Sequence, residues 1–192
     1  MRQDSYLRDA TPEDSLEIAK LVLIASDGLA EYIWSLYAGP GDDLLEVGAS
    51  RYQRTGVDYS FDNTRIAEVD GRVAGMLLTY GIGELEPVSD DVPDVLRPYA
   101  ALEEPDSLYI SDVAIHARFR GQGLGKRLMA DAHQIAAAKG YDKLSLIVFE
   151  RNTFAHGLYI RLGFEERDRR AIVPHPCLNY EDGDAIMMVK EI

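Results

Sequence analysis

Apolar and polar positions change their spacing several times along the chain, and each change predicts an element. Ile18, Leu21, Val22 and Ala25 recur at spacings of three, one and three, which places them on one face of a helix. Thr11-Pro12-Glu13-Asp14 leads into that helix: Thr11 suits the cap, Pro12 the first turn, and Gly28 the stop. Residues 5–8 read as a short first strand. Two further helical stretches, residues 29–37 and 43–54, flank the turn signal Ala38-Gly39-Pro40-Gly41. Residues 65–69 and 73–80 then form two strands around the tight Asp70-Gly71 turn, a hairpin.

Residues 84–106 break the pattern with many acids and with Pro87, Pro93, Pro98 and Pro105. This stretch reads as an ordered surface excursion in which only residues 92–102 suit a short helix. Its charge and its place before the next strand make it a candidate border of a binding site, with Glu103, Glu104 and Asp106 attracting a cation. Residues 108–115 form a strand that runs into a glycine-rich turn and a helix over residues 123–139. Leu124, Leu128, Ala132, Ile135 and Ala136 give that helix a buried stripe. A strand over 143–149, a helix over 152–162 and strands over 164–173 and 185–189 complete the chain. The alternation indicates α/β layering without internal repeats.

At 192 residues and 46% hydrophobic, the chain suits one well-buried core, so residues 1–192 are expected to form a single domain. No run of about 18 apolar residues occurs, and Met1-Arg2-Gln3-Asp4-Ser5 lacks the basic-then-apolar order of an export signal. The expected location is the cytoplasm, with no membrane partner. The lone Cys177 forms no internal disulfide and reads as buried filler. A net charge of -13, from 33 acidic against 20 basic residues, argues against nucleic acid as a partner and makes a cationic substrate such as an amine easier to attract, set against an acidic surface that merely aids solubility, the reading that charge alone favours.

The candidate chemistry begins at Arg120-Gly121-Gln122-Gly123-Leu124-Gly125, between a strand and an amphipathic helix. Unpaired backbone N–H groups and the helix dipole favour an anion there, phosphate above all. Glycines permit positive φ and close approach of the backbone. A Rossmann fingerprint starting at Gly121 would need glycine at Lys126, and a Walker loop would need Ser or Thr at Arg127, so both fail.

Arg120-x-x-Gly123-x-Gly125 resembles the Arg/Gln-x-x-Gly-x-Gly/Ala signature of the GNAT superfamily of N-acetyltransferases. A second block, Asn152-x-x-Ala155-x-x-Leu158-Tyr159-x-x-x-Gly163-Phe164, is similar to that family's Asn-x-x-Ala-x-x-x-Tyr-x-x-x-Gly-Phe pattern. The resemblance implies a mixed, largely antiparallel central sheet flanked by helices on both faces. It also implies acetyl-CoA as cosubstrate and an amine-bearing acceptor, and it is sharp only over residues 108–164.

By this resemblance the backbone amides from Gln122 to Lys126 bind the CoA pyrophosphate, and Val113, Ala114 and Ile115 pair with the pantetheine arm and polarise the thioester carbonyl. Arg120, Gly121, Gln122, Gly123, Leu124, Gly125, Lys126 and Asn152 make up the rest of the cofactor set. Tyr159 is placed near the sulfur as donor to the leaving thiolate, the reading set against a packing role on an apolar helix face. A phenol of pKa about 10 facing a thiol of about 8.5 makes complete transfer uphill by about 2 kcal/mol, so Tyr159 can stabilise charge without finishing the transfer.

An acceptor amine of pKa about 10.4 is neutral about once in 2,500 molecules at pH 7, so a base or water relay is needed. Asp112 is the first candidate, against an ordinary role as strand-end hydrogen-bond acceptor, with Ser111, Tyr109 and His116 as alternatives. His156, His175 and Cys177 have no paired metal-ligand spacing, so no metal is expected. The expected reaction is direct attack of the amine on the thioester, without an acyl-enzyme. The alternative function is a non-catalytic acyl-CoA-binding sensor or regulatory module. A homodimer is the expected assembly.

Overall fold

The computed structural model describes residues 5–192. The expectation about an export signal at Met1-Arg2-Gln3-Asp4 lies outside them. Among the described residues, seven strands run in the order β1-β2-β3-β4-β5-β7-β6 and form a mixed, mostly antiparallel sheet accompanied by six helices. The chain divides into two compact units, the first comprising residues up to Thr79 and Asp112–Ala132, the second Tyr80–Ser111 and His133–Ile192.

In the first unit, β1 (Ser5–Asp9) pairs antiparallel with β2 (Thr64–Val69), and β2 with β3 (Arg72–Ile82). The hairpin turn is Asp70 at φ 49° and Gly71 at φ 73°, the two positive values that a type I′ turn needs. Helices α1 (Ser15–Ala25), α2 (Leu29–Ser35) and α3 (Leu44–Tyr52) follow the expected order, and α1 packs against α3. The start of α1 is held by Asp14, whose carboxylate accepts from the Thr11 N–H at 2.8 Å and from both terminal nitrogens of Arg8 at 2.7 and 2.9 Å. Ile18, Leu21 and Val22 are buried as their spacing demands, while Ala25 is only half-buried at the fraying end.

In the second unit, β5 (Lys143–Phe149) runs antiparallel to β7 (Asp184–Glu191), and β7 antiparallel to β6 (Glu165–Ala171). Part of β4 (Ser107–Ile115) lies parallel to β5, with Leu108 opposite Leu144 and Ile110 opposite Leu146. Phe149, Leu102, Ile172, Ala185, Met187 and Val189 form a core, and Tyr99 and Tyr180 set their rings 5.7 and 5.4 Å from Phe149. The highly charged β6 is almost wholly exposed, as suits an edge strand.

The helix expected over residues 92–102 shrinks to α4 (Arg97–Ala100). Pro98 occupies its first turn, and the preceding residues close separate turns onto the Pro93 carbonyl. Helix α5 (Leu124–Lys139) and strand β4 contribute residues to both units. On α5, Leu124, Leu128, Ala132 and Ala136 are buried and Ile135 is half-buried. Among the described residues, no helix is long and apolar enough to cross a membrane.

Candidate active site

In the first unit, the chain leaves β4 through a turn pinned at both ends. The His116 N–H donates to the Ala74 carbonyl at 2.9 Å, and Ala117–Phe119 form one 3-10 turn. Phe119 and Leu124 drop their side chains into a core with Val69 and Ala74, against which Ile115 packs. Between those anchors Arg120, Gly121, Gln122 and Gly123 are exposed, and beyond them Gly125 is half-buried and Lys126 exposed. Gly121 and Gly123 have φ of 76° and 77°, a region that other residues enter at a cost.

Gly125 has no such φ, and a Cβ added there, as at Gly121 or Gly123, would meet no atom within 4 Å. The protein's own packing therefore does not require glycine at 125. The Arg127 N–H reaches the Gly123 carbonyl at 3.1 Å as the first bond of α5, so the amides of Gly123, Leu124, Gly125 and Lys126 precede the helical ladder. This is a cradle of backbone donors, open to an approaching anion and on the positive end of a 16-residue helix.

The side chains around the cradle are less available than the sequence suggests. Arg120 Nε donates to the Ile115 carbonyl at 3.2 Å and braces the turn against its own strand. Arg127 is held by Ser5, through Oγ at 2.7 Å and the carbonyl at 3.2 Å. His116 Nε2 lies 3.3 Å from Glu17, whose other oxygen accepts from Lys20 at 2.6 Å. Burial opposes ionisation of Glu17, but Lys20 and His116 outweigh it and hold the carboxyl below its usual range.

Strand β4 alternates: Tyr109, Ser111, Val113 and Ile115 are half-buried, whereas Ile110, Asp112 and Ala114 are buried. Val113 and Ile115 therefore share the more open face, and Ala114 and Asp112 the closed one. Gly75 on β3 makes room for the strand end, since a Cβ there would run into Ile115 Cδ1 and lie 2.6 Å from the Ala114 carbonyl oxygen. Asp112 is only 7% exposed and acts electrostatically on Tyr52, a residue to which sequence reasoning gave no role. The i, i+4 pair Gly48 and Tyr52 was visible, but nothing in the sequence ties it to a carboxylate 60 positions later.

In the second unit, Asn152 caps α6 (Thr153–Arg161), its Oδ1 accepting from the Ala155 N–H at 3.1 Å. The helix ends in a Schellman motif, with the Phe164 N–H on the Tyr159 carbonyl and the Gly163 N–H on the Ile160 carbonyl, both at 3.0 Å, and Gly163 at φ 88°. Tyr159 is half-buried and meets the buried Phe164 edge-on, with centroids 5.8 Å apart. Ala155, Leu158 and Leu162 are all only half-buried, and α6 buries none of its residues. His156 lies 2.8 Å from Glu166.

Of the remaining expectations, Glu104 is held by Lys143 at 2.8 Å, with both side chains largely buried, which makes it a structural tie first. Burial raises the Glu103 carboxyl above its ordinary range. Cys177 is half-buried, its N–H donating to His175 Nδ1 at 3.2 Å. Among the described residues, no group of three or more His, Cys, Asp or Glu side chains is arranged to hold a metal ion.

Comparison with known proteins adds to these observations. Over 79 residues the chain is 37% identical to the uncharacterized N-acetyltransferase YycN of Bacillus subtilis, an alignment covering 41% of this chain and 51% of that protein. The chain thus spans about half the length of this curated relative. Two solved structures share the fold. An N-acetyltransferase from Staphylococcus aureus superposes with a TM-score of 0.66 at 22% identity, over 96% of this chain and 99% of that one. The PaiA N-acetyltransferase of Thermoplasma acidophilum, solved in complex with coenzyme A, gives 0.60 at 12% identity, over 98% and 99%. The family described as acetyltransferase (GNAT) matches residues 31–164, which include both the glycine cradle and the capped helix, and the chain belongs to that family.

Proposed function

We propose that this protein is an N-acetyltransferase that moves the acetyl group of acetyl-CoA directly to an acceptor amine. The observation that carries the reading is the glycine cradle, whose amides from Gly123 to Lys126 precede the helical ladder and where a Cβ at position 125 would meet nothing in the protein. Such a cradle suits a pyrophosphate, the group that every acyl-CoA presents. The coenzyme A complex of the Thermoplasma relative supports the choice of donor.

In this reading the amides from Gln122 to Lys126 hold the pyrophosphate, with Arg120 and Gly121 shaping the turn and Asn152 contributing from the second block. The open edge of Val113, Ala114 and Ile115 takes the pantetheine arm, and its N–H groups polarise the thioester carbonyl. Amine nitrogen bonds to the carbonyl carbon as the carbon–sulfur bond breaks. Asp112, directly or through water, accepts the proton that the amine loses, and Tyr159 donates to the departing sulfur. The burial of Asp112 removes it from bulk solvent, the condition under which a carboxylate becomes a better base than in water. No acyl-enzyme and no metal is needed. We read residues 1–192 as one such domain, acting in the cytoplasm as a homodimer and without nucleic acid or membrane partners.

The test is a panel of amines with acetyl-CoA, following thiol release and product mass. Amine-dependent release with a mass increase of one acetyl group is the expected result. Binding of acetyl-CoA without amine-dependent release would establish the sensor function instead, and no binding would remove the proposal.

A further inference from the structure

Arg118 lies in the 3-10 turn Ala117–Phe119, two residues before the Arg120 that opens the motif, and is exposed. Its guanidinium carbon stands 4.9 Å from the centroid of the Phe119 ring, a cation–π contact. Phe119 is buried in the core that also takes Leu124, the first residue of α5. The stack thus keeps the charge beside the strand-to-helix turn, where a long side chain would otherwise sweep the solvent.

Most cations of the first unit are already engaged. Arg8 is paired with Asp14 and Glu68, Lys20 with Glu17, and Arg65 with Asp9 and Asp131. Arg54, Arg120 and Arg127 each donate to a backbone carbonyl. Arg118 and Lys126, which bracket the cradle in sequence, have neither a carboxylate nor a carbonyl among the described residues. In a chain with 33 acidic against 20 basic residues, carboxylates are plentiful, yet none has been placed here. The start of α5 is clear of acids in the same way. Helices α1, α2 and α3 carry Glu17, Glu31 and Glu46 in their first turns, where the helix dipole favours them, whereas α5 carries no acid there and begins Leu124-Gly125-Lys126-Arg127. That arrangement is unfavourable in the free helix and suits a ligand of high negative charge.

Acyl-CoA presents two kinds of phosphate on one ribose, a pyrophosphate at the 5′ carbon and a phosphomonoester at the 3′ carbon. The amides of the cradle serve the first. At pH 7 a phosphomonoester bears a charge of about −1.5 to −2, and the planar fork of a guanidinium matches its oxygens. We infer that Arg118 recognises the 3′-phosphate of the donor and makes the protein select CoA over its 3′-dephospho form. With the pyrophosphate on the amides, the ribose carries the monoester to the edge of the turn, where the guanidinium anchored on Phe119 meets it. This inference rests on the cradle as the pyrophosphate site proposed above.

The test is calorimetric binding of CoA and of 3′-dephospho-CoA to the free protein, a readout that needs no acceptor. Wild type should bind CoA about tenfold more tightly, the scale of a hydrogen-bonded charge pair discounted for its exposure. Arg118→Gln should weaken CoA binding about tenfold and leave 3′-dephospho-CoA within about twofold, so that the preference vanishes. Should Arg118→Gln fail to fold, Arg118→Met, which keeps an unbranched stem over the Phe119 ring, carries the same comparison.

Equal affinity of wild type for the two ligands overturns the inference. So does an equal loss of both in the folded variant, which would assign Arg118 to the pyrophosphate or to the shape of the turn. If wild type binds neither ligand, the cradle reading and this inference fall together. If it binds both alike, only the role of Arg118 falls, and amine-dependent thiol release still stands as the separate test of the acetyltransferase.

Discussion

The 120–125 turn and the 152–164 block are equally visible as spaced motifs, yet the folded protein accounts for them differently. In the block, nearly every motif residue has a structural partner: Asn152 caps the helix, Gly163 ends it and Phe164 is buried. In the turn, Gly121 and Gly123 are needed for backbone shape, whereas Gly125 answers to no neighbour in the protein. A motif residue without an internal reason points outward to a ligand. One that the fold already explains must be tested for function by a change that leaves the fold alone.

Tyr159 is where that test has the largest expected effect, because its ring packs edge-on against Phe164 and its hydroxyl can be removed while that contact stays. Tyr159→Phe retains the edge contact of its ring with Phe164 and removes only the hydroxyl. As donor to the departing sulfur, its loss should lower kcat by about 10²-fold or more with acetyl-CoA affinity nearly unchanged. Steady-state kinetics alongside calorimetric binding checks this. An unchanged kcat would reduce Tyr159 to packing and make the block wholly structural.

The turn predicts the opposite signature, with binding lost and folding kept. Acetyl-CoA at about 100 times its dissociation constant should stabilise the wild type by about 2.7 kcal/mol in a thermal shift assay. Gly123→Val, forced into a positive φ, should lose most of that protection. Gly125→Ala is the finer probe: with no strained φ and no neighbour within 4 Å, the free protein should be as stable as wild type or slightly more so. Because the signature accepts Gly or Ala at this position, its acetyl-CoA affinity should stay close to that of the wild type, in contrast to Gly123→Val. A loss in Gly125→Ala as large as that in Gly123→Val would show that the ligand tolerates no side chain at position 125.

The same contrast governs how much of the molecule its sequence discloses. Hairpin, caps and helix stops are local events, so Asp70-Gly71, Asn152 and Gly163 act where their spacing places them. The motif turn is local too. What lies beyond local reading is tertiary, such as the burial of Asp112 and the bracing of Arg120 on its own strand. The 84–106 excursion was also hard to resolve, since its prolines forbid regular ladders without specifying the turns that replace them. Acidic residues there invite a binding role, but Glu104 forms an ion pair with Lys143 whose partner cannot be chosen from composition.

Asn152 tests whether the block is structural throughout, at a smaller scale. Asn152→Ala should cost about 1 kcal/mol of stability, the ordinary loss of a helix N-cap. Asn152→Asp keeps an oxygen for the Ala155 N–H and removes the side-chain NH₂, so the fold should be retained. If the residue also serves the cosubstrate, Asn152→Asp should weaken acetyl-CoA binding without destabilising the free protein. Denaturation and binding measured on both variants separate the two roles, and a variant that keeps both properties marks Asn152 as a cap alone.

The smallest expected effect concerns how α6 is tied to its neighbours when the pH falls. Glu166 on β6 accepts from Arg169 and lies 2.8 Å from His156 on α6. Its carboxyl is held below the usual range, first by the hydrogen bond from Arg169, with burial opposing and His156 adding to the effect. A depressed folded-state pKa means that the stabilisation is fully present above the unfolded-state value, about 4.3, and is lost as pH drops through the lower folded-state value. The pair is largely exposed, so the contribution should be no more than about 1 kcal/mol. Glu166→Gln should therefore lower the melting temperature slightly at pH 7 and by less as the pH falls below about 4.3, with amide exchange in α6 following the same order. An equal loss above and below that value would show that Glu166 acts through packing, and that the acid sensitivity of α6 has its source elsewhere.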